Sequence, residues 1–327
     1  MNEDALLVVR DLAVRFNGRR GAVHAVNGVS FTLGRGRSLG IVGESGCGKS
    51  QTCLAIMGLL AESAECSGSI LFEGDEILGA RRRRLDELRG QRLSLVFQDP
   101  MTALTPHRTI GQQLCEIVQQ HESTTHADAR RRAIEIMDRV RIPDAERRFD
   151  MYPFEFSGGM RQRVVIAAAL IQRPALVVAD EPTTALDVTV QAEVLRTFKA
   201  VVEHAGTSLI LVTHDLGVVA GTCDEVMVMY AGRVVEHADV ISLFSKPQHP
   251  YTQALLACRP DLDAAHTARM YTIEGRPPDL ARGEPAGCSF EPRCAHATQA
   301  CRTSRPPLEA RSPTHRVACH LSPPAES

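Results

Sequence analysis

Eight consecutive residues, Gly43-Glu44-Ser45-Gly46-Cys47-Gly48-Lys49-Ser50, place glycines, a lysine and a serine at the spacing GxxxxGKS. Glycines at 46 and 48 let the backbone curl so that successive N–H groups face one concavity, and a helix opening near Lys49 would add its N-terminal partial positive charge. The natural occupant is an anion. Lys49 has the reach to touch β- and γ-phosphate oxygens, and the Ser50 hydroxyl can complete the shell of a Mg²⁺ ion. A glycine-rich turn between a strand and a helix is the plainer alternative. The phosphate reading is stronger because every fixed residue falls in register behind the apolar run 39–42. Cys47 and Gln51 stand at variable positions.

Two further groups suit the same chemistry. The apolar run Leu176-Val177-Val178-Ala179 ends in Asp180 and Glu181. In a phosphate-loop enzyme the first carboxylate can hold Mg²⁺, and the second can polarise a water that attacks a γ-phosphate in line. Two acids at a strand end can equally cap a helix, but beside a phosphate loop the catalytic reading dominates. The turn Ser157-Gly158-Gly159 opens an apolar helical stretch, with Ser157 able to cap it. A capped helix with a glycine pair is the plain reading, and a second anion site is the functional one.

Ten cysteines are present, six scattered over 47–258 and four, Cys288, Cys294, Cys301 and Cys319, in the last 40 residues. Five, six and 17 residues intervene between these four, wider than the CxxC pairs of common zinc sites. In a reducing compartment such a crowd points to metal chemistry rather than disulfides.

The elements that must position these groups follow from periodicity. Residues 7–16 and 22–33 alternate apolar and polar around Asn17-Gly18 and read as two strands joined by a turn. Phe16, near the end of the first, reads as core on residue type alone, although an aromatic there could stack on an adenine ring. A helix is expected from the phosphate loop to Leu60, with strands at 69–72, 93–97, 176–179 and 209–212. Between residues 110 and 148 the spacing is helical. Short unbroken apolar runs are those of parallel strands buried on both faces. The fold class is therefore α/β, with residues 1–235 as a nucleotide-binding domain interrupted by a helical subdomain over about 99–174. Residues 236–327 form a C-terminal extension. Nine of the 18 prolines follow Arg276, so an independent hydrophobic core is not expected in that extension.

Composition bounds the function. The 327 residues are 44% hydrophobic and 23% charged, with formal net charge -2, which gives no global basic footprint for nucleic acid. Arg81 to Arg84 could grip phosphates, yet Asp86 and Glu87 follow them, and a solvated, self-paired helix face is the better reading. Residues 1–12 lack a basic segment followed by an apolar one, so no secretory signal is expected. The longest apolar runs, such as 164–171, fall short of the ~20 residues of a spanning helix.

Read in order, these groups resemble the ATP-binding cassette (ABC) family of transport ATPases. Residues 43–50 resemble its Walker A loop, 176–181 its Walker B strand with the catalytic glutamate, and 157–162 its signature motif. Gln98 matches the Q-loop glutamine, Ala185-Leu186-Asp187 the D-loop, and His214 the switch histidine; Phe16 falls where the family places its adenine-stacking aromatic. Phe156 departs from the usual leucine, for which a packing change is expected. The resemblance implies a P-loop NTPase nucleotide-binding domain with an N-terminal antiparallel β subdomain. Two such domains pair head to tail, and each ATP lies between Walker A of one and the signature loop of the other. It implies Glu181 as general base and His214 as a γ-phosphate contact. Nucleotide and Mg²⁺ would be held by residues 43–51, Gln98, Asp180, Ser157, Gly158, Gly159, Gln162 and Asp187.

A narrower resemblance covers nearly the whole chain. The segments 97–102, 181–187, 229–232 and His249-Pro250-Tyr251-Thr252 are similar to the D-type ATPase subunits of dipeptide and oligopeptide importers. This implies a partner ATPase of F type, two membrane permease subunits, an extracytoplasmic peptide-binding protein and a peripheral place on the cytoplasmic face of the inner membrane. It also implies a 4Fe-4S cluster on Cys288, Cys294, Cys301 and Cys319. Zinc, with His315 and His320 as substitute ligands, and free structural thiols are the alternatives. Nickel or another small solute is an alternative cargo, and a soluble ATPase serving nucleic acid is the rival from another class.

Overall fold

The computed structural model describes residues 4–18, 21–97, 99–183, 186–258 and 272–321. The strands are β1 (Ala5–Gly18), β2 (Gly21–Gly34), β3 (Ser38–Val42), β4 (Ala64–Phe72), β5 (Asp75–Glu76), β6 (Leu93–Val96), β7 (Leu176–Asp180), β8 (Ser208–Thr213), β9 (Glu225–Tyr230), β10 (Arg233–Asp239), β11 (Glu309–Ser312) and β12 (His315–Val317). The helices are α1 (Lys49–Met57), α2 (Arg82–Leu88), α3 (Pro100–Ala103), α4 (Ile110–His121), α5 (His126–Arg139), α6 (Ala145–Arg148), α7 (Gly158–Leu170), α8 (Val188–Ala205), α9 (Leu216–Thr222), α10 (Val240–Ser245), α11 (Pro250–Ala257) and α12 (Gln299–Thr303). In their described residues they fall into two compact units. One is built from Met1–Leu7, Thr32–Ser38 and Phe72–Thr213, the other from Val8–Phe31, Leu39–Leu71 and His214–Ser327.

In the first unit β8, β7 and β6 are neighbours and run parallel, with Asp180 opposite Val212 and Val96 opposite Ala179. Leu176, Val177, Val178 and Ala179 are all fully buried, so this strand shows no alternation. Leu176, Val177 and Val178 each contribute about 1.5–3 kcal/mol by leaving water. The helical part follows local chemistry closely. Thr109 caps α4 in a reciprocal box with Gln112, Thr125 caps α5 and Ser157 caps α7, and each cap satisfies an orphan N–H at its helix start. On α2, Arg82, Arg83 and Arg84 pair with Asp86, Glu87 and Asp75, and the first two are about nine-tenths exposed. The arginine run is a solvated, self-paired face.

In the second unit β2, β1 and β4 adjoin one another in the antiparallel N-terminal sheet. A further sheet runs β11-β12-β10-β9-β3, with β3 parallel to β9 and the remaining pairs antiparallel. Ala231 and Gly232, both at positive φ (50 and 80°), turn β9 into β10, the two-residue geometry that matches strand twist. Helix α1 ends at Met57, earlier than its apolar pattern predicts, because Gly58 adopts the left-handed conformation and closes it.

The C-terminal residues share a core with the strands rather than building their own. Phe290 packs with Tyr230 and Tyr251 at ring-centroid distances of 5.3 Å, among Val42, Val226 and Leu243. Strand β12 pairs with residues 236–238 of β10. A boundary after residue 235 thus falls inside a strand. Among the described residues no helix is long and apolar enough to cross a membrane.

Candidate functional site

Residues 43–51 lie in the second unit, between β3 and α1. Gly48 stands at the helix N-cap with φ 103° and no side chain to cap it. A Cβ there would overlap the Ala25 carbonyl oxygen, so only glycine lets the loop pass, and the first N–H groups of α1 are not met by a capping side chain. Lys49 is 5% exposed and folds back over the loop, donating from Nζ to the carbonyl oxygens of Gly43 (2.7 Å) and Glu44 (3.0 Å). Its Nζ is 3.8 Å from Cys47 Sγ. Burial pushes the Cys47 thiol up against the pull of that ammonium, so it stays a neutral packing group. Ser45 and Gly46 are exposed, Ser50 and Gln51 half-buried. A lysine tied to the loop's own carbonyls, beside exposed loop residues, is an ammonium parked where an anion would be received.

Phe16, half-buried near the end of β1, also belongs to the second unit. So does His214, exposed directly after β8, with Asp215 capping α9 through the Gly217 N–H at 2.7 Å.

The first unit carries the carboxylates. Asp180 ends β7 half-buried, and Glu181 follows in the left-handed region at φ 46°. A glutamate costs energy in that conformation. It is held there by its N–H, which donates to Val212 O at 2.9 Å. The strand end therefore turns abruptly at the second carboxylate instead of running on into a cap. Asp187, four residues past a further turn, accepts the Val190 N–H at 3.0 Å and caps α8. The plainer role offered for an acid at a helix start is thus the one Asp187 visibly performs.

Ser157 and Gly158 are exposed at the start of α7, where Ser157 Oγ accepts from Met160 N at 3.3 Å. A Cβ at Gly159 would overlap Val190, and one at Gly158 would touch Leu186. The fold thus brings the 157–159 turn against the start of α8. Gln162, on the first turns of α7, is 1% exposed and its Nε2 has no hydrogen-bond partner among the described residues. Phe156, in place of the expected leucine, is fully buried and leaves the exposed Ser-Gly pair unchanged. Gln98 and Ala185 lie outside the described residues.

The four C-terminal cysteines line one cavity together with His320. Cys288 N–H donates to Cys301 O at 2.8 Å, which fixes two of them by backbone. Burial pushes the Cys288 and Cys294 thiols up, and the neighbouring cysteines add to it. Among the described residues no three His, Cys, Asp or Glu side chains are gathered closely enough to share one metal ion. His315, offered by the sequence as a substitute zinc ligand, instead bonds Glu236 through Nε2 at 2.7 Å, and His320 Nε2 bonds Ser304 O at 3.0 Å.

Sequence reasoning missed what holds Glu44. Its carboxylate takes a bidentate pair from Arg293 (2.6 and 3.0 Å), and its N–H donates to Tyr251 Oη at 2.9 Å. The carboxylate holds the Arg293 guanidinium charged well beyond its ordinary range, and burial pushes the Tyr251 phenol up. Tyr251 lies in the His-Pro-Tyr-Thr segment and Arg293 beside Cys294, but nothing local in either stretch reports a partner more than 200 residues away.

A phosphate loop after β3, a carboxylate-ended β7 and a capped glycine turn at α7 on an α/β fold define a nucleotide-binding domain of the ATP-binding cassette class. Residues 26–184 match the family described as ABC transporter, and residues 235–301 the oligopeptide/dipeptide transporter C-terminal region. The chain is 51% identical over 316 residues to the oligopeptide transport ATP-binding protein OppD of Salmonella typhimurium, covering 97% of this chain and 93% of the relative. It is 46% identical over 320 residues to the dipeptide transport ATP-binding protein DppD of Bacillus subtilis, covering 97% and 95%. Among solved structures, CbiO1 of Clostridium perfringens, part of an ABC transporter complex, superposes with TM-score 0.64 at 29% identity, covering 74% of this chain and 92% of that one. The chain belongs to the oligopeptide/dipeptide-type ATP-binding proteins of ABC transporters.

Proposed function

We propose that this chain is the ATP-hydrolysing subunit that powers import of di- or oligopeptides across the cytoplasmic membrane, working from its inner face. The observation that carries this reading is identity of about half the residues over nearly the full length to relatives named for oligopeptide transport, with the C-terminal region matching as well. Lys49 and the N–H groups of residues 43–51 would hold the β- and γ-phosphates, and Phe16 would stack on the adenine. Bound Mg²⁺ would neutralise charge building on the phosphates, with Ser50, Gln98 and Asp180 as its protein contacts. Glu181 would take the proton of the attacking water and His214 would orient that water against the γ-phosphate. Ser157, Gly158, Gly159 and Asp187 would meet the nucleotide of a second cassette, a paralogous F-type ATPase, beneath two permease subunits fed by a peptide-binding protein, whereas Gln162, expected from the resemblance as a further contact, is buried beneath that turn and would support it from within.

Replacing Glu181 with Gln should leave MgATP binding intact while hydrolysis falls by roughly two to four orders of magnitude. Near-normal turnover would remove Glu181 as the base. Tagged protein recovered from membranes should bring the permease and the second ATPase with it. Recovery with nucleic acid instead, and ATPase stimulated by RNA or DNA, would favour the rival class.

For the C-terminal cysteines the donor chemistry fits a 4Fe-4S cluster. Four thiols line one cavity, yet three ligands are not gathered around any single point among the described residues. Cys288, Cys294, Cys301 and Cys319 would be the ligands. When bound, such a cluster supplies a covalent staple across a proline-rich segment.

A further inference from the structure

Arg293 is buried to 4% side-chain exposure and its guanidinium is saturated. Nε donates to Glu274 O (2.9 Å), one terminal nitrogen to Glu44 Oε2 (2.6 Å) and Tyr230 Oη (3.3 Å), and the other to Glu44 Oε1 (3.0 Å) and Ile273 O (3.2 Å). Five donors meet five acceptors, the full capacity of the fork. All of these residues belong to the second unit.

The far side of this contact is the phosphate loop. Glu44 is fixed by all three of its polar groups: carboxylate to Arg293, N–H to Tyr251, and carbonyl to the Lys49 ammonium. The near side is the cysteine segment. Arg293 ends the short turn Glu291–Arg293, Cys294 follows it, and Glu291 N–H donates to Cys288 O at 3.0 Å while Cys288 N–H donates to Cys301 O. Hydrogen bonds lead from the backbone of Cys301 through Cys288 to Glu291, the two-residue turn to Arg293 continues the path covalently, and the guanidinium carries it to the residue that holds Lys49.

Charge gives this contact its functional meaning. Glu44 is an anion within a loop built to receive an anion, and without a counter-charge it would repel the phosphates. A buried fork that neutralises it keeps the loop cationic and fixes its curve at once.

We infer that Arg293 is a positioning residue for the nucleotide loop, and that nucleotide binding at residues 43–50 and the order of the cysteine segment 287–304 are thermodynamically linked through the Arg293–Glu44 pair. The inference rests on the nucleotide reading of that loop. It does not require any particular group on the thiols. Linkage is reciprocal, so what steadies one end must steady the other.

The test measures MgADP affinity by a fluorescent analogue, together with hydrogen–deuterium exchange of peptides covering 287–304, on the full chain. In the wild type, saturating MgADP should slow exchange in that segment. Arg293→Gln should weaken MgADP binding roughly five- to tenfold, the low end of measured coupling strengths, and at saturating MgADP its 287–304 exchange should not slow. KM for ATP should rise while kcat changes little. Adding Glu44→Gln to Arg293→Gln should recover most of the affinity, because the uncompensated carboxylate is then gone. Loss of packing alone would not be rescued that way. Arg293→Lys, which keeps the charge and loses the fork, should fall between wild type and Arg293→Gln and carries the same comparison if the glutamine variant does not fold. Unchanged affinity in Arg293→Gln and Arg293→Lys, no rescue by Glu44→Gln, or wild-type exchange indifferent to bound MgADP would overturn the inference. Wild-type protein that binds no MgADP would instead overturn the nucleotide reading of the loop itself.

Discussion

His315 Nε2 lies 2.7 Å from Glu236 Oε1, with the histidine 4% exposed and the glutamate fully buried. The same carboxylate accepts the N–H groups of Gln248 at 2.7 Å and His249 at 3.0 Å. Glu236 sits on β10 and His315 on β12, so one buried acid ties the last strand to its neighbour and to the start of α11. Replacing Glu236 with Ala leaves two buried donors and one half-buried donor unmet, for which about 3–5 kcal/mol of unfolding free energy should be lost. Urea unfolding of the two proteins measures it, and a change under about 1 kcal/mol, the scale of one ordinary hydrogen bond, would show that the contacts are not held in solution.

His249 gives the protein an acid-sensitive joint. It is almost fully buried, its Nδ1 accepts the Tyr251 N–H at 3.0 Å, and desolvation pushes its pKa down to about 4 from the usual 6.5, with Glu236 opposing. The native ring stays neutral while the unfolded chain takes up a proton below 6.5. Stability is therefore complete above that value and drains away as pH falls from 6.5 toward 4. Between pH 7 and pH 5 the loss should be about 2 kcal/mol from this residue. His249→Asn puts a capping oxygen in place of Nδ1 and should flatten that part of the urea midpoint–pH profile; an unchanged slope would locate the effect elsewhere.

Two glycines of the phosphate loop should respond differently to alanine. Gly48 stands at positive φ with the Ala25 carbonyl in the way of a Cβ, whereas Gly46, also at positive φ, has nothing within 4 Å. Gly46→Ala should cost only about 1–2 kcal/mol, the ordinary penalty of a left-handed alanine. Gly48→Ala must also move backbone, and should lower the melting temperature further and abolish MgADP binding. Equal melting temperatures for the two variants would contradict the close approach to Ala25.

The cysteine segment predicts a colour. Protein purified without air should be brown, with about four iron atoms per chain, and Cys294→Ser should lose the visible absorption. Colourless protein carrying about one zinc would replace the cluster with the alternative ion, despite the engagement of His315 by Glu236.

Much of the architecture was legible in local sequence because local physics decides it. The unbroken apolar run at 176–179 reads as a strand buried on both faces, and the glycines of GxxxxGKS after 39–42 mark a tight turn between a strand and a helix. Arg82 to Arg84 next to Asp86 and Glu87 announced their own pairing, since helix neighbours three and four residues apart touch whatever the rest of the chain does. Ser157 likewise capped the helix that follows it.

What the sequence could not announce were contacts between residues far apart along it. Strand β12 adds itself to β10 and β11 to β12, so the proline-rich segment needs no core of its own, and His315 finds Glu236. Arg293 finds Glu44 across 249 positions. Periodicity and spacing report which face of an element leaves water, but a buried charge is stabilised only by the particular opposite charge that the folded chain brings to it. The sequence therefore determined the glycine-rich loop at 43–50 and the strands around it, and tertiary structure alone decided that the loop's glutamate would be held by the arginine beside Cys294.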